Sequence, residues 1–273
     1  MNSRAPISSA LSRLVPGVRD WLATWWRILQ FALLIFSLAL TPSSYSRANR
    51  HAIARQLVLA AAPNLLWFSV LACLISVVLI RIVVVTAASY GVSQYALEMV
   101  VRVLVLELIP LTAALFVALR CTLPDGLEFA QLRASGALDG LRRQGIDPLR
   151  REFLPRVLAG LFAVWLLAAV TCVAALVLAY FIMYGFTPWA LTGYTRAVGQ
   201  VFNPAVTTIL GLKVLFFSFA VALIPMASSY HDGSGGSGAG PRRPAPAHGL
   251  QDMVRLFSVV LMIEMASLLG NYY

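Results

Sequence analysis

Charge is what this chain has least of. Only 12% of its 273 residues are Asp, Glu, Lys or Arg, and 60% are apolar. An ordinary soluble domain is about a quarter charged and half apolar, so a soluble enzyme is excluded and a polytopic membrane protein remains. Lysine is almost missing: Lys213 is the only one. It follows Leu212 rather than a glycine, so there is no G-x-x-x-x-G-K-S/T loop to cradle phosphates, and any use of ATP belongs to a partner. The three cysteines, Cys73, Cys121 and Cys172, lie far apart and suggest neither a disulfide framework nor a metal site. The three histidines, His51, His231 and His248, have no second ligand at metal spacing. The first twenty residues carry Arg4, Arg13 and Arg19 without an early apolar run and small-residue cleavage site, so no cleaved signal peptide is expected. The Gly-rich stretch around Ser234 lacks the strand and helix context of a nucleophile elbow and reads as linker. Glycine and proline are otherwise close to average, which excludes collagen-like and low-complexity classes.

What the chain does have is long apolar runs. A spanning helix needs about 20 apolar residues, and six stretches approach or exceed that: 21 to 40, 57 to 90, 97 to 119, 154 to 184, 203 to 228 and 250 to 270. The second and fourth are too long for one straight crossing and must tilt, bend or extend beyond the bilayer, with Pro63 a candidate bend. The net charge of +10 is almost all arginine, clustered between the apolar stretches. Arg120, Arg133, Arg142, Arg143, Arg150, Arg151 and Arg156 fall between spans three and four, and Arg242 and Arg243 between the last two. Both connections should therefore be cytoplasmic, and the Arg-poor segments 91 to 96 and 185 to 202 should face the other side. Aromatics lie inside the apolar stretches rather than on a basic face, which argues against nucleic acid.

By the same rule residues 41 to 56, with Arg47, Arg50 and Arg55, are cytoplasmic, and the first stretch then has Arg-rich flanks on both sides. It carries Trp21, Trp25 and Trp26 and is expected to lie along the cytoplasmic leaflet, with an ordinary sixth span as the alternative. The segment 229 to 249 is Gly/Ser-rich and then Pro-rich, and is expected to be a flexible loop without fixed structure at its centre. No internal repeat or soluble domain intervenes.

Three ionisable residues sit well inside spans. Glu107, Lys213 and Glu264 each cost about 2.5 to 3.5 kcal/mol to insert at the centre of a membrane, so each is a functional candidate by default. Lys213 could pair with either acid or line a watery cavity, and a purely structural ion pair is the plain alternative. Arg81 and the i, i+4 pair Glu98 and Arg102 lie nearer the opposite side, where snorkelling explains them. The connection 124 to 156 alternates apolar and charged positions, with Leu127, Ala130, Leu132, Ala134, Leu138 and Leu141 supplying the apolar ones. It is expected to hold a short amphipathic helix or helix pair ending near Gly145. That glycine suits a left-handed cap, Asp147 can start the next turn, and Pro148 fits its first position.

The stretch ALDGLRRQGIDPLRREFLPRVLA, residues 137 to 159, is similar to the pattern D-A-L-x-x-x-G-x-D-P-x-x-x-L-x-x-P-R-x-x-A. Asp139, Leu141, Gly145, Asp147, Pro148, Pro155, Arg156 and Ala159 fall in register. On these residues the chain, from 102 to 270, resembles the MlaE-type permease subunits of ABC phospholipid transporters. The final span carrying an acid, Glu264, after a Gly-rich connection agrees. The family's R-E-x-G-P appears as Leu106 to Pro110, keeping Glu107 and Pro110 but not the Arg and Gly. The acidic pair that usually precedes the signature is replaced by Gly136 and Ala137.

The apolar lengths and arginine placement lead to the expectation of an all-α integral membrane permease with about five transmembrane helices and an N-terminal interfacial helix, and the resemblance implies a cytoplasmic coupling helix as well. Residues 1–56 would form the cytoplasmic N-terminus with the interfacial helix. Residues 57–273 would form the permease domain, with a coupling region at 121–153 and the loop at 229–249. It further implies a homodimer in the bacterial inner membrane, its C-terminus periplasmic, with a P-loop ATPase subunit below, an MCE-domain lipid-binding protein on the periplasmic side, and phospholipid as cargo. Leu138, Asp139, Leu141, Gly145, Asp147 and Pro148 would be the ATPase-coupling residues, and Glu107, Lys213 and Glu264 the lipid-cavity candidates. No cofactor, metal or covalent catalysis is expected. A membrane scaffold or assembly subunit without a substrate path is the competing reading, and a lipid-modifying enzyme would need a reactive constellation that the sequence does not supply.

Overall fold

The computed structural model describes residues 7–41, 47–143, 145, 147–231 and 245–272, and their regular structure is entirely helical. Helix α1 spans Ile7–Leu40, α2 Arg47–Ser89, α3 Ala96–Val100, α4 Ile109–Val117 and α5 Leu123–Ala134. Then follow α6 (Ala137–Arg143), α7 (Leu154–Tyr184), α8 (Leu191–Val201), α9 (Pro204–His231) and α10 (Ala245–Tyr272). Six runs among the described residues are long and apolar enough to cross a bilayer: Ala23–Leu40, Ile53–Ser89, Ser93–Arg133, Leu149–Tyr184, Pro204–Tyr230 and Gly249–Asn271. This is an all-α integral membrane protein.

The run from Ser93 to Arg133 is helical throughout but not uniform. π-helical turns occupy Val101–Leu108 and Ala118–Thr122, and a third, Leu149–Phe153, leads into α7. Each is followed two residues later by a proline, Pro110, Pro124 or Pro155. Proline has no N–H and its ring crowds the carbonyl four residues back, so widening the preceding turn to i→i+5 bonding relieves the clash without ending the helix. Pro63 is also accommodated inside continuous helix, within α2.

The core is built in three tiers along the bundle. At the Arg-rich end, Phe129, Phe153, Leu154 and Val157 meet Ala222, Leu223, Met226 and Ala227 of α9. In the middle tier, Phe68 and Ala72 of α2 pack with Ala113 to Ala118, with Ala163 to Ala168 of α7, with Val214 to Ile224 of α9, and with Leu256 and Val260 of α10. At the far end, Ile80 of α2 packs with Leu97 to Ile109, with Ala175 and Ala179 of α7, and with Tyr194, Val201 and Val206. Thus α2 and α7 run side by side in one direction, and the Ser93–Arg133 run and α9 run opposite to them. Alanine and glycine at the crossings let backbones approach closely, as membrane helices require where lipid offers no hydrophobic drive to associate. A Cβ on Gly126 would lie 3.0 Å from the Pro225 carbonyl oxygen, and one on Gly160 3.0 Å from the Thr122 methyl.

Helix α1 enters only part of this stack. Phe31 and Ile35 are buried in the Arg-rich tier, against Phe153 and Tyr230, and Ile28 reaches the middle tier. None of its described residues joins the far tier.

Several expectations change in detail. The segment 185 to 202 is not a plain connection: it holds α8, which seats Tyr194 and Val201 in the far tier. The Tyr194 hydroxyl donates to the Leu176 carbonyl at 2.7 Å. Burial, with Tyr184 nearby, pushes that hydroxyl up to about 12, so it remains a donor. The loop expected over 229 to 249 is narrower, because α9 continues through His231 and α10 begins at Ala245. Its continuation is fixed by tertiary bonds: Ser229 Oγ donates to the Gly126 carbonyl at 2.7 Å and Arg133 donates to the Ser229 and Tyr230 carbonyls. The expected unstructured centre lies outside the described residues.

Candidate functional site

The three intramembrane ionisable residues come together. Glu107 lies in the π-helical turn before α4, Lys213 is in α9 and Glu264 in α10. The Lys213 ammonium donates to Glu107 Oε2 and lies 2.9 Å from Glu264 Oε2, an ion pair without aligned hydrogen-bond geometry. The sequence left Lys213 to pair with one acid or the other, and the fold gives it both. Asn271 Nδ2 adds a 3.3 Å hydrogen bond to Glu107 Oε1, and the Phe217 ring centroid is 5.8 Å from the ammonium.

Local chain geometry explains the remaining contact. In an α-helix the Leu106 carbonyl would accept from the N–H at position 110, but Pro110 has none. Lys213 Nζ supplies the missing donor at 3.2 Å. The retained Glu107 and Pro110 therefore act on the same lysine, one through charge and the other by freeing a carbonyl. The ammonium is the buried partner: the Lys213 side chain is 1% exposed, whereas those of Glu107 and Glu264 are 12% and 13% exposed. Lys213 does not open onto solvent or lipid, and what the cluster shows outward is carboxylate.

A second arrangement forms at the Arg-rich end. The connection is a helix pair, α5 and α6, broken at Gly136 and closed at Gly145, both near φ +74. Only glycine takes that left-handed backbone without strain, so Gly145 adopts the cap its sequence position suggested. Asp147 Oδ1 accepts from the Leu149 N–H at 3.1 Å, starting the next turn, and Pro148 is buried. Leu138 is half-buried against the chain's own Arg-rich tier. The side chains of Asp139 and Leu141 lie outside the described residues.

The residue that ties this pair to the spans was in the signature but was not singled out from sequence. Arg156 of α7 makes two parallel hydrogen bonds of 3.1 Å to Glu128 of α5. Its guanidinium also lies 3.9 Å from Asp125, 3.8 Å from Glu152 and 4.5 Å from the Phe129 ring centroid. The planar fork suits such bidentate pairing. The available signal was the excess of acids, Asp125, Glu128 and Glu152, around a single in-register arginine. At the opposite end, Glu98 and Arg102 pair at 3.0 Å, as their i, i+4 spacing indicated. No group of three His, Cys, Asp or Glu able to hold a metal occurs among the described residues.

An integral helical bundle with a charged cluster at depth and a signature-built helix pair at one end defines a permease-like membrane domain. Residues 53–267 match the family described as Permease MlaE, and the chain belongs to that family. Among curated proteins it is similar to a probable ABC transporter permease protein of Rickettsia prowazekii (strain Madrid E), 28% identical over 156 residues. Similarly named proteins of Rickettsia felis and Rickettsia conorii match at 28% and 27% identity over the same length. Each match covers 55% of this chain and 60% of the relative.

Proposed function

We infer that this chain is the permease subunit of an ABC transporter that moves phospholipid or a related lipid between the inner membrane and a periplasmic MCE carrier. ATP is hydrolysed in a partner subunit, and two copies of the permease enclose the lipid path. The chain performs no covalent chemistry of its own. The observation that carries this reading is the helix pair α5–α6, anchored by Arg156 to the base of α7 and continuous through α5 with the span that holds Glu107. A push on that pair is transmitted along a continuous helical run to the depth of the ionic cluster. The arginine-rich connections support a cytoplasmic position for the pair, the side on which an ATPase would bind. Helix α1 lies along the cytoplasmic leaflet, a reading supported by the arginine-rich segments on both sides of its apolar stretch and by contacts confined to the Arg-rich and middle tiers.

The test is copurification and transfer. The permease with its ATPase and MCE partners should move fluorescent phospholipid into acceptor liposomes in the presence of ATP. Leu141→Asp, which puts a charge into an apolar contact, should release the ATPase and abolish ATP-dependent transfer while the permease stays folded. A folded Leu141→Asp protein that retains a full complement of ATPase refutes the coupling assignment. Assembly without transfer in the unaltered complex favours a scaffold instead.

A further inference from the structure

The ionic cluster carries one negative charge too many. Two carboxylates face one ammonium, and no other charged side chain among the described residues is in ion-pair contact with them. The ammonium is sealed beneath the carboxylates, so a ligand arriving at the cluster meets oxygen acceptors rather than a cation. Two neighbouring polar atoms are also buried without partners: Ser267 Oγ and Asn271 Oδ1. Both residues share a face of α10 with Glu264, at i+3 and i+7. Ser267 is itself 7% exposed. Buried polar atoms without partners are rare in folded proteins and mark places where something else completes the bonding.

Taken together, a surplus carboxylate, an amide oxygen and a hydroxyl form an acceptor-rich set that matches a group with several N–H donors and a positive charge. A phosphate would find a net negative cluster and no accessible cation, and would be repelled. We propose that the Glu107–Lys213–Glu264 cluster, with Ser267 and Asn271, receives the amine of an ethanolamine-type lipid headgroup, so that the permease favours amine-bearing lipids over anionic ones. The inference rests on the lipid-permease reading. It assigns Lys213 the role of holding the two acids together, not of attracting a headgroup.

The experiment uses the whole transporter complex, reconstituted in vesicles of equal parts phosphatidylethanolamine and phosphatidylglycerol. The lipid retained on repurification is measured by mass spectrometry, and ATP-dependent transfer of each lipid is measured in parallel. The unaltered complex should retain phosphatidylethanolamine about tenfold over phosphatidylglycerol, the scale of one hydrogen bond between charged groups. Glu264→Gln leaves a balanced Lys213–Glu107 pair and should bring that ratio to about one. Glu264→Asp, which keeps the charge, should preserve the preference and serves as the folding control. A ratio near one in the unaltered complex, or a preference unchanged in Glu264→Gln, overturns the headgroup assignment and leaves a proton as the neutralising charge. Absence of ATP-dependent transfer for every lipid overturns the transporter reading instead, so the two failures are distinguishable.

Discussion

Replacing Lys213 by Met is the sharpest perturbation of this protein, because one ammonium answers two carboxylates and a backbone carbonyl. The substitution keeps length and volume and removes a charge that is almost completely buried. Left behind are two carboxylates held near one point and a Leu106 carbonyl whose α-helical donor Pro110 cannot supply. Breaking a buried ion pair by deleting one partner costs about 3 to 5 kcal/mol, chiefly because the surviving charge stays desolvated. The orphaned carbonyl adds about 1 to 3 kcal/mol unless water reaches it. The sum is comparable with the whole stability of many folded domains, about 5 to 15 kcal/mol, so Lys213→Met should unfold at a much lower temperature or fail to accumulate. Glu264→Gln alone should cost far less, since the Lys213–Glu107 pair remains balanced. Combining Lys213→Met with Glu107→Gln and Glu264→Gln should recover most of the loss, because the three changes act on one another and are not additive. The assay is thermal unfolding of the detergent-purified protein followed by tryptophan fluorescence, with yield from membranes as a second readout. A Lys213→Met protein as stable as the unaltered one, or a neutral triple variant no better than the single, would refute this reasoning.

Two further outcomes follow from the fold. With Cys73, Cys121 and Cys172 replaced, a cysteine at Thr192 on α8 should react with a membrane-impermeant thiol reagent in intact cells. One at Ser135, between α5 and α6, should react only after lysis, and the reverse pattern would invert the orientation. Gly126→Leu should push α5 off α9, since even a Cβ there meets the Pro225 carbonyl oxygen at 3.0 Å. The expected cost is about 1 to 3 kcal/mol of overpacking, seen as a lowered unfolding temperature, and an unchanged one would show that the crossing is looser than the geometry indicates.

Much of the molecule was legible from local rules. Apolar length located all six hydrophobic runs, and the clustering of arginine divided the chain ends into two sets, because transfer into hydrocarbon is a property of each segment on its own. The left-handed Gly145 and the turn started by Asp147 were readable for the same reason: caps depend on residues one to three positions apart. The cost of intramembrane charge marked Glu107, Lys213 and Glu264 as exceptional without any knowledge of where they sit.

What that cost could not decide is who meets whom. Residues 106 positions apart, Glu107 and Lys213, are joined only because α9 packs beside the span carrying Glu107, and the choice between one acid and two belongs to that packing. Arg156 looked like one arginine among many until α5 brought Glu128 and Asp125 to it. Helix α8 was hidden by its modest apolar content and is seated by Tyr194 and Val201 against residues far away in sequence. The π-helical turns follow from prolines visible in the sequence, yet a proline can also end or kink a helix, and the surrounding bundle selects the widened turn. Sequence fixes the price of each segment's solvent and each turn's backbone, whereas pairing energy depends on distances that only the assembled helices set.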